Sequence, residues 1–201
     1  MNLTAALLLG GRSSRMGRDK ALIEVGGQPL WWVQWQKLRA LRPDRLIMSA
    51  RDGQDAPVPP APAVVVRDAA AEIGPLGGLI ACLKAIQLDG PEALLLVLGV
   101  DLPRLPVALL QELVFSADCG CGVVVCHARG YEPLAAVYPP AMLDLARRRA
   151  RLGHHALQGL VREGIERGLM DEVSLRGLGD WPDEVFLNLN TPEDVNNLRG
   201  L

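Results

Sequence analysis

The residues best suited to chemistry lie in three short stretches of this chain. Between Leu9 and Ala21 come two adjacent glycines, Gly10 and Gly11, followed by Arg12, Arg15, Arg18 and Lys20, four cations within nine residues. Adjacent glycines let the backbone turn sharply and approach a ligand closely, so that its amide N–H groups face phosphate oxygens. With the cations added, this is an anion-binding loop. It matches neither familiar phosphate fingerprint. A P-loop needs Gly-Lys followed by Ser or Thr, whereas Gly17 precedes Arg18 and Lys20 precedes Ala21. In a dinucleotide fingerprint further glycines would fall where Ser13, Ser14 and Arg15 stand. The second stretch is Asp101-Leu102-Pro103, which ends the apolar run Ala93 to Val100. A carboxylate at a strand end, opposite phosphate-binding groups, suits a hard cation such as Mg²⁺ held together with substrate phosphates; it suits equally well the capping of the next turn. The third runs from Val185 to Asp194. Read as a strand, its period of two puts Asn188 and Asn190 on one face and the leucines on the other, where paired amides suit a substrate or a metal-bound water. Thr191, Pro192 and Asp194 then read as a helix N-cap, its first position and a variant capping box.

These groups need elements to hold them. Ala5 to Leu9 has no polar alternation, as in a strand buried on both faces of a parallel sheet, and in such sheets ligands sit beyond the strands' carboxyl ends. Ala21 to Val25 is expected to be extended, Gly26-Gly27 a turn, and Pro29 to about Leu41 a helix with Leu30, Val33, Leu38 and Leu41 inward. Trp31, Trp32 and Trp35 on that helix read as packing, with stacking on a pterin or a base as the functional alternative. Strands over Arg45 to Ala50 and Val64 to Asp68 enclose a proline-rich loop, and Asp68 at its strand end faces the same crevice as the first loop. Gly74-Pro75-Leu76-Gly77-Gly78 opens a helix to about Gln87; its glycines serve either a tight helix entry or clearance for a ligand. A helix over Val107 to Phe115 precedes an antiparallel pair, Gly122 to Cys126 and Pro133 to Tyr138, joined through Ala128-Arg129-Gly130. The stretch 141–168 is helical apart from Gly153. Its Arg147, Arg148, Arg149 and Arg151 suit a solvated face, and adjacent His154 and His155 diverge by about 100° on a helix, too far to share a metal. Alternating strands and helices predict a three-layer, Rossmann-like α/β fold, its sheet mainly parallel with a small antiparallel addition.

At 201 residues the chain is expected to form a single domain over 1–201. A net charge of −2 makes the cations of the first loop a local concentration and argues against nucleic acid as a partner. No apolar run approaches the roughly 20 residues of a membrane helix, and no signal peptide pattern opens the sequence, so a soluble cytoplasmic protein is expected. Cys119, Cys121 and Cys126 beside His127 invite a zinc site; without a C-x-x-C pair they read instead as buried thiols in a reducing compartment.

The segment Leu8 to Lys20 resembles the signature of the nucleotidyltransferases that act on molybdopterin, the molybdenum cofactor guanylyltransferases above all. Further resemblances, at Asp68, Gly74-Pro75-Leu76, Asp101 and Asn188-Leu189-Asn190-Thr191-Pro192, extend over nearly the whole chain. The resemblance implies the nucleotidyltransferase version of the fold, with GTP placing its base near Leu8, Leu9 and Gly10. The triphosphate would lie along the loop that carries Gly11 and Arg15 and ends in Lys20. Asp68 matches a nucleotide-contacting position, Asn188 and Asn190 lie near the family's active site, and Asp101 matches its Mg²⁺ ligand, which makes Lys20 and Asp101 the catalytic pair. The implied substrates are GTP and molybdopterin, the implied product is molybdopterin guanine dinucleotide, and molybdoenzymes or their chaperones are the implied recipients. The glycine pair favours guanine, since cytidylyltransferase relatives tend to carry alanine at the first glycine. Where the family has a nucleotide-contacting asparagine after the second strand, this chain has Ala50 and then Arg51. A cytidylyltransferase, another nucleotidyltransferase of this fold and a non-catalytic nucleotide-binding cofactor chaperone stay open as alternatives.

Overall fold

The computed structural model describes residues 2–9, 19–68, 73–118, 120–189 and 194. The strands are β1 (Asn2–Leu8), β2 (Glu24–Val25), β3 (Gln28–Pro29), β4 (Arg45–Arg51), β5 (Val64–Asp68), β6 (Ala93–Gly99), β7 (Gly122–His127), β8 (Gly130–Tyr138) and β9 (Met170–Ser174). The helices are α1 (Leu30–Ala40), α2 (Pro75–Ile86), α3 (Val107–Phe115), α4 (Met142–Arg151) and α5 (Leu157–Glu166).

Seven strands form one sheet in the order β5-β4-β1-β6-β8-β7-β9, and β2 and β3 make a separate hairpin. The apolar runs that suggested two-sided burial form its centre. β1 and β6 pair in parallel, with Leu7 opposite Leu98, and their interior residues are almost wholly inaccessible. The alternation of a strand sorts their side chains between two layers. Ala5, Leu7, Leu94, Leu96 and Leu98 pack with residues of α1 and α3, while Ala6, Leu8, Leu95 and Val97 pack with α2, α4 and α5. Each fully buried leucine contributes about 1.5–3 kcal/mol, so a sheet with both faces covered is held mainly by this pattern. The result is the three-layer α/β fold.

The expected antiparallel pair forms, with one refinement, and three other expectations change. The stretch read as extended from Ala21 begins as a 3₁₀ turn, Lys20–Leu22, because the Asp19 side chain accepts from the Ala21 N–H at 3.0 Å and caps it. The antiparallel addition is a single reversed strand: β8 runs against both β6 and β7, while β9 pairs in parallel with β7 at the sheet edge. β9 escaped the sequence reading because an edge strand needs little apolar surface, and of its five residues only Met170 is buried. The 141–168 stretch is two helices broken at 152–156, which puts His154 and His155 in the connection. Finally, Val185 to Leu189 is not a strand. Asp183–Phe186 forms a 3₁₀ turn after Pro182, and Val185, Phe186 and Leu189 are buried while Leu187 and Asn188 are exposed. This segment packs into the α1–α3 layer instead of extending the sheet. The proposed cap at Thr191 lies outside the described residues.

Candidate functional site

From β1 the chain builds outward through β4 to β5 and then returns to place β6 on the other side of β1. The strand order therefore reverses between β1 and β6, and a crevice opens at the carboxyl ends of the strands on either side of such a point. A cleft lies there, about 660 Å³ counting the open solvent at its mouth, and concave crevices of this kind at a switch point are common ligand sites. Its walls are the ends of β1, β4, β5 and β6, the first turns of α2, and Leu134 from β8. Because β8 is reversed, it brings its early residues to the end of the sheet where its neighbours finish.

At one end of the cleft stands Asp101. Its Oδ2 lies 3.9 Å from Lys20 Nζ, and both side chains are about four-fifths shielded from solvent. Burial pushes the Asp101 carboxyl above its ordinary range, while the Lys20 charge and a backbone hydrogen bond pull it back. Lys20 is placed by the 3₁₀ turn that Asp19 caps. The other oxygen of Asp19 accepts from Gln54 Nε2 at 2.8 Å, and Gln54 Oε1 accepts from the Arg51 N–H at 3.1 Å. The base of the first loop is thereby tied to the end of β4. Gly99 leaves the room that Asp101 occupies: a Cβ there would sit 2.9 Å from Asp101 Oδ1 and 3.0 Å from Leu134 Cβ. Glu132 lies near by, with its carboxyl pushed up to about 7 by burial and further by the Asp101 charge, against a hydrogen bond from the Leu134 N–H.

The other end is built for shape. Asp68 is buried, and its carboxylate overlies Gly77 so closely that a Cβ at that position would overlap it. Gly78 faces Ser49 Oγ in the same way, at 3.0 Å from where its Cβ would be. The glycines of α2 thus clear space for the protein's own side chains. Ala50 offers the cleft no polar side-chain atom, and Arg51 beside it keeps a buried Nε with no hydrogen-bond partner among the described residues.

The MobA-like NTP transferase domain matches residues 5–168. The chain belongs to that family. It is 36% identical over 197 residues to a probable molybdenum cofactor guanylyltransferase of Opitutus terrae, covering 98% of this chain and 95% of that protein. Among solved structures it resembles molybdopterin-guanine dinucleotide biosynthesis protein A from Archaeoglobus fulgidus, with a TM-score of 0.72, 20% identity and coverage of 98% of this chain and 97% of the other. It also resembles a manganese complex of Rv0371C from Mycobacterium tuberculosis, with a TM-score of 0.66, 18% identity and coverage of 100% and 99%.

In this MobA-like domain Leu8, Leu9, Asp68 and Asp101 line one cleft, and Lys20 meets it through Asp101. Asn188 does not join them; it is exposed, because its segment is not the strand expected. Gly10, Gly11, Arg15 and Asn190 lie outside the described residues. Trp35 is fully buried, Trp31 and Trp32 pack edge to face at 5.3 Å against the same layer, and none of the three lines the cleft. The α4 arginines are engaged elsewhere: Arg148 and Arg149, with Arg167, converge on Glu163. His127 stacks on Phe186 with ring centroids 4.8 Å apart. Sequence reasoning missed Ser49, Glu132 and Leu134, none of which stands in a motif, and it missed Gln34, for which a signal existed. Gln34 lies four residues from both Leu30 and Leu38, a polar residue on the inward face of α1.

The donors suit a hard divalent cation. Asp101 supplies a carboxylate oxygen, and among the described residues no group of three or more His, Cys, Asp or Glu side chains is placed to hold a metal by itself. One carboxylate shared with phosphate oxygens and water is the usual arrangement for Mg²⁺.

Proposed function

We propose that this chain, acting as a single nucleotidyltransferase domain over 1–201, transfers GMP from GTP to the terminal phosphate of molybdopterin. The products are molybdopterin guanine dinucleotide and pyrophosphate. The observation that carries the reading is the Lys20–Asp101 pair at the switch-point cleft of a chain similar over nearly its whole length to a probable molybdenum cofactor guanylyltransferase. A molybdopterin phosphate oxygen attacks the α-phosphorus of GTP, a new P–O bond forms, and the bond to the β-phosphate oxygen breaks to release pyrophosphate. That nucleophile is already ionised at neutral pH, so the protein's work is to align the groups and neutralise charge. Leu8, Leu9 and the first loop hold the base and phosphates, Lys20 offers its ammonium to the charge that moves onto pyrophosphate, and Asp101 holds Mg²⁺. When bound, Mg²⁺ supplies Lewis-acid neutralisation of the phosphates. Molybdoenzymes or their chaperones are the recipients in this reading.

The test is a competition among GTP, CTP and ATP with purified molybdopterin as acceptor, following pyrophosphate and the dinucleotide product. Preferential consumption of GTP supports the reading. Faster use of CTP would make the chain a cytidylyltransferase, and nucleotide binding without pyrophosphate release would make it a nucleotide-binding chaperone.

A further inference from the structure

Beyond Gly99 the chain leaves the sheet ladder, and the carbonyl groups of the segment that carries Asp101 must find donors elsewhere, because buried carbonyls are rarely left unpaired. Most of these donors come from α1, while the Leu102 carbonyl also takes the Leu105 N–H of its own turn at 3.3 Å. Gln34 is fully buried, and its Nε2 donates to the Gly99 carbonyl at 3.1 Å and to the Leu102 carbonyl at 2.9 Å. One turn later Lys37 Nζ donates to the Pro103 carbonyl at 2.6 Å. The Leu189 N–H donates to the Asp101 carbonyl at 2.9 Å, and the Val100 N–H anchors the start of the segment on Leu8 O at 3.0 Å.

We infer that Gln34 is a positioning residue for the cation site: its amide brackets Asp101 by holding the carbonyls on either side of it. Two features set this bracket apart from ordinary packing. Gln34 Oε1 is itself buried with no hydrogen-bond partner among the described residues. Such an orphan acceptor is costly, so an apolar side chain would be the better filler of this core position, and the amide is of use there for its two N–H groups. Those two bonds also fall on the residues that fix how Asp101 leaves the strand. Gly99 is where a Cβ would collide with the carboxylate, and Leu102 begins the turn away from it, closed by the Leu105 N–H. A carboxylate that must meet an ion and a phosphate together has to be held within about 0.5 Å, and side chains behind the ligand commonly do this. Lys37 holds the same segment two residues beyond Asp101.

The inference rests on the reading of Asp101 as the metal ligand, and one experiment separates the two. Calorimetry on the full chain, without acceptor, measures GTP affinity with EDTA and with saturating Mg²⁺, and the ratio is the tightening due to the ion. Asp101→Asn is expected to abolish the tightening. Gln34→Met, close in volume but without donors, is expected to reduce it about 10-fold while metal-free GTP affinity stays at the wild-type value. Lys37→Met removes a tie that lies beyond the bracket and is expected to keep the wild-type ratio; a loss as large as that in Gln34→Met would mean that any loosening of the segment suffices and would overturn the role given to Gln34. If Asp101→Asn keeps the wild-type ratio, the reading of Asp101 fails. If Asp101→Asn abolishes the tightening while Gln34→Met keeps it, the bracket is structural only and the positioning role is overturned. Should Gln34→Met fail to fold, Gln34→Asn keeps the amide but withdraws it by one methylene; a reduced ratio supports the role and a wild-type ratio overturns it.

Discussion

The two ends of the cleft are made on different plans. Around Asp101, neighbouring backbone carbonyls are held from α1 and from the 187–189 segment, while the carboxylate itself meets Lys20. Around Ala50 and Asp68 the wall mixes small residues with Arg51 and the buried Asp68 carboxylate, and it is shaped by the close approach of α2 to Asp68 and Ser49. The first end fixes a charge in place; the second leaves a surface. Substitutions at the first should therefore act on rate and on the cation, and substitutions at the second on affinity and base preference.

The sharpest break of that contrast is Asp101→Asn. A preorganised charge is removed with no change in shape, so turnover is expected to fall about 10²–10³-fold. Thermal unfolding should show no loss of stability, because burial already disfavours the ionised carboxyl. Near-normal turnover at ordinary Mg²⁺ would remove Asp101 from the mechanism. Lys20→Ala comes next. Hydrogen bonds to charged groups are worth about 1.5–3 kcal/mol, so GTP binding or the single-turnover rate should weaken by roughly 10- to 150-fold in total. Wild-type values for both would leave Lys20 as a surface residue and the charged end without its cation.

The difference between the ends also explains what could be read from the sequence. β1 and β6 were legible because their apolar runs are long and buried on both faces, and Asp101 was legible because it ends such a run; β5 is a largely exposed edge strand, legible only through its three valines, with Asp68 at its end. The Asn188 segment misled because the alternation of Leu187 and Leu189 with Asn188 and Asn190 has the period of a strand; tertiary packing instead buried Val185, Phe186 and Leu189. Gln34 meets Gly99 across 65 residues, Ser49 faces Gly78 from another element, and Glu132 feels the charge of Asp101 from the neighbouring strand; no local pattern encodes such pairings. Gln34 alone left a trace, as a polar residue on an apolar helix face.

Glu132 gives a smaller effect that tests the charged end by pH. Its carboxyl titrates at about 7 in the folded chain, against 4.5 without the fold. Between those values the folded state binds the extra proton, so this group's contribution to stability falls as pH rises through the window and is lost fully above it. Glu132→Gln removes the titration. It should unfold in urea like wild type near pH 4 and be more stable by up to about 3 kcal/mol near pH 8. Equal stability of the two proteins at both pH values would mean that Glu132 ionises freely and that the charged end is wetter than its burial indicates.

The smallest effect belongs to the shaped end. Ala50 is 3% exposed and stands where the resemblance to the molybdopterin guanylyltransferases implies an asparagine that touches the nucleotide. The methyl group can exclude water from that wall, but it can neither donate nor accept. A hydrogen bond to a ligand is worth about 0.5–1.5 kcal/mol, or roughly 2- to 12-fold in affinity. Ala50→Asn is therefore expected to tighten GTP by that factor and to leave the maximal rate unchanged, since the proposed reaction puts the reacting phosphates at the other end. Ala50 lines the cleft, so a polar side chain there would face it. Equilibrium binding of GTP and CTP to the two proteins checks the step. Tighter GTP with unchanged CTP means that the shaped end reads guanine and that backbone groups near Leu8 and Leu9 set the preference before the asparagine adds to it. A variant that gains CTP affinity and turns over CTP more efficiently than GTP would show that the glycine pair does not select guanine, and the division between a charged end and a base-reading end would have to be redrawn.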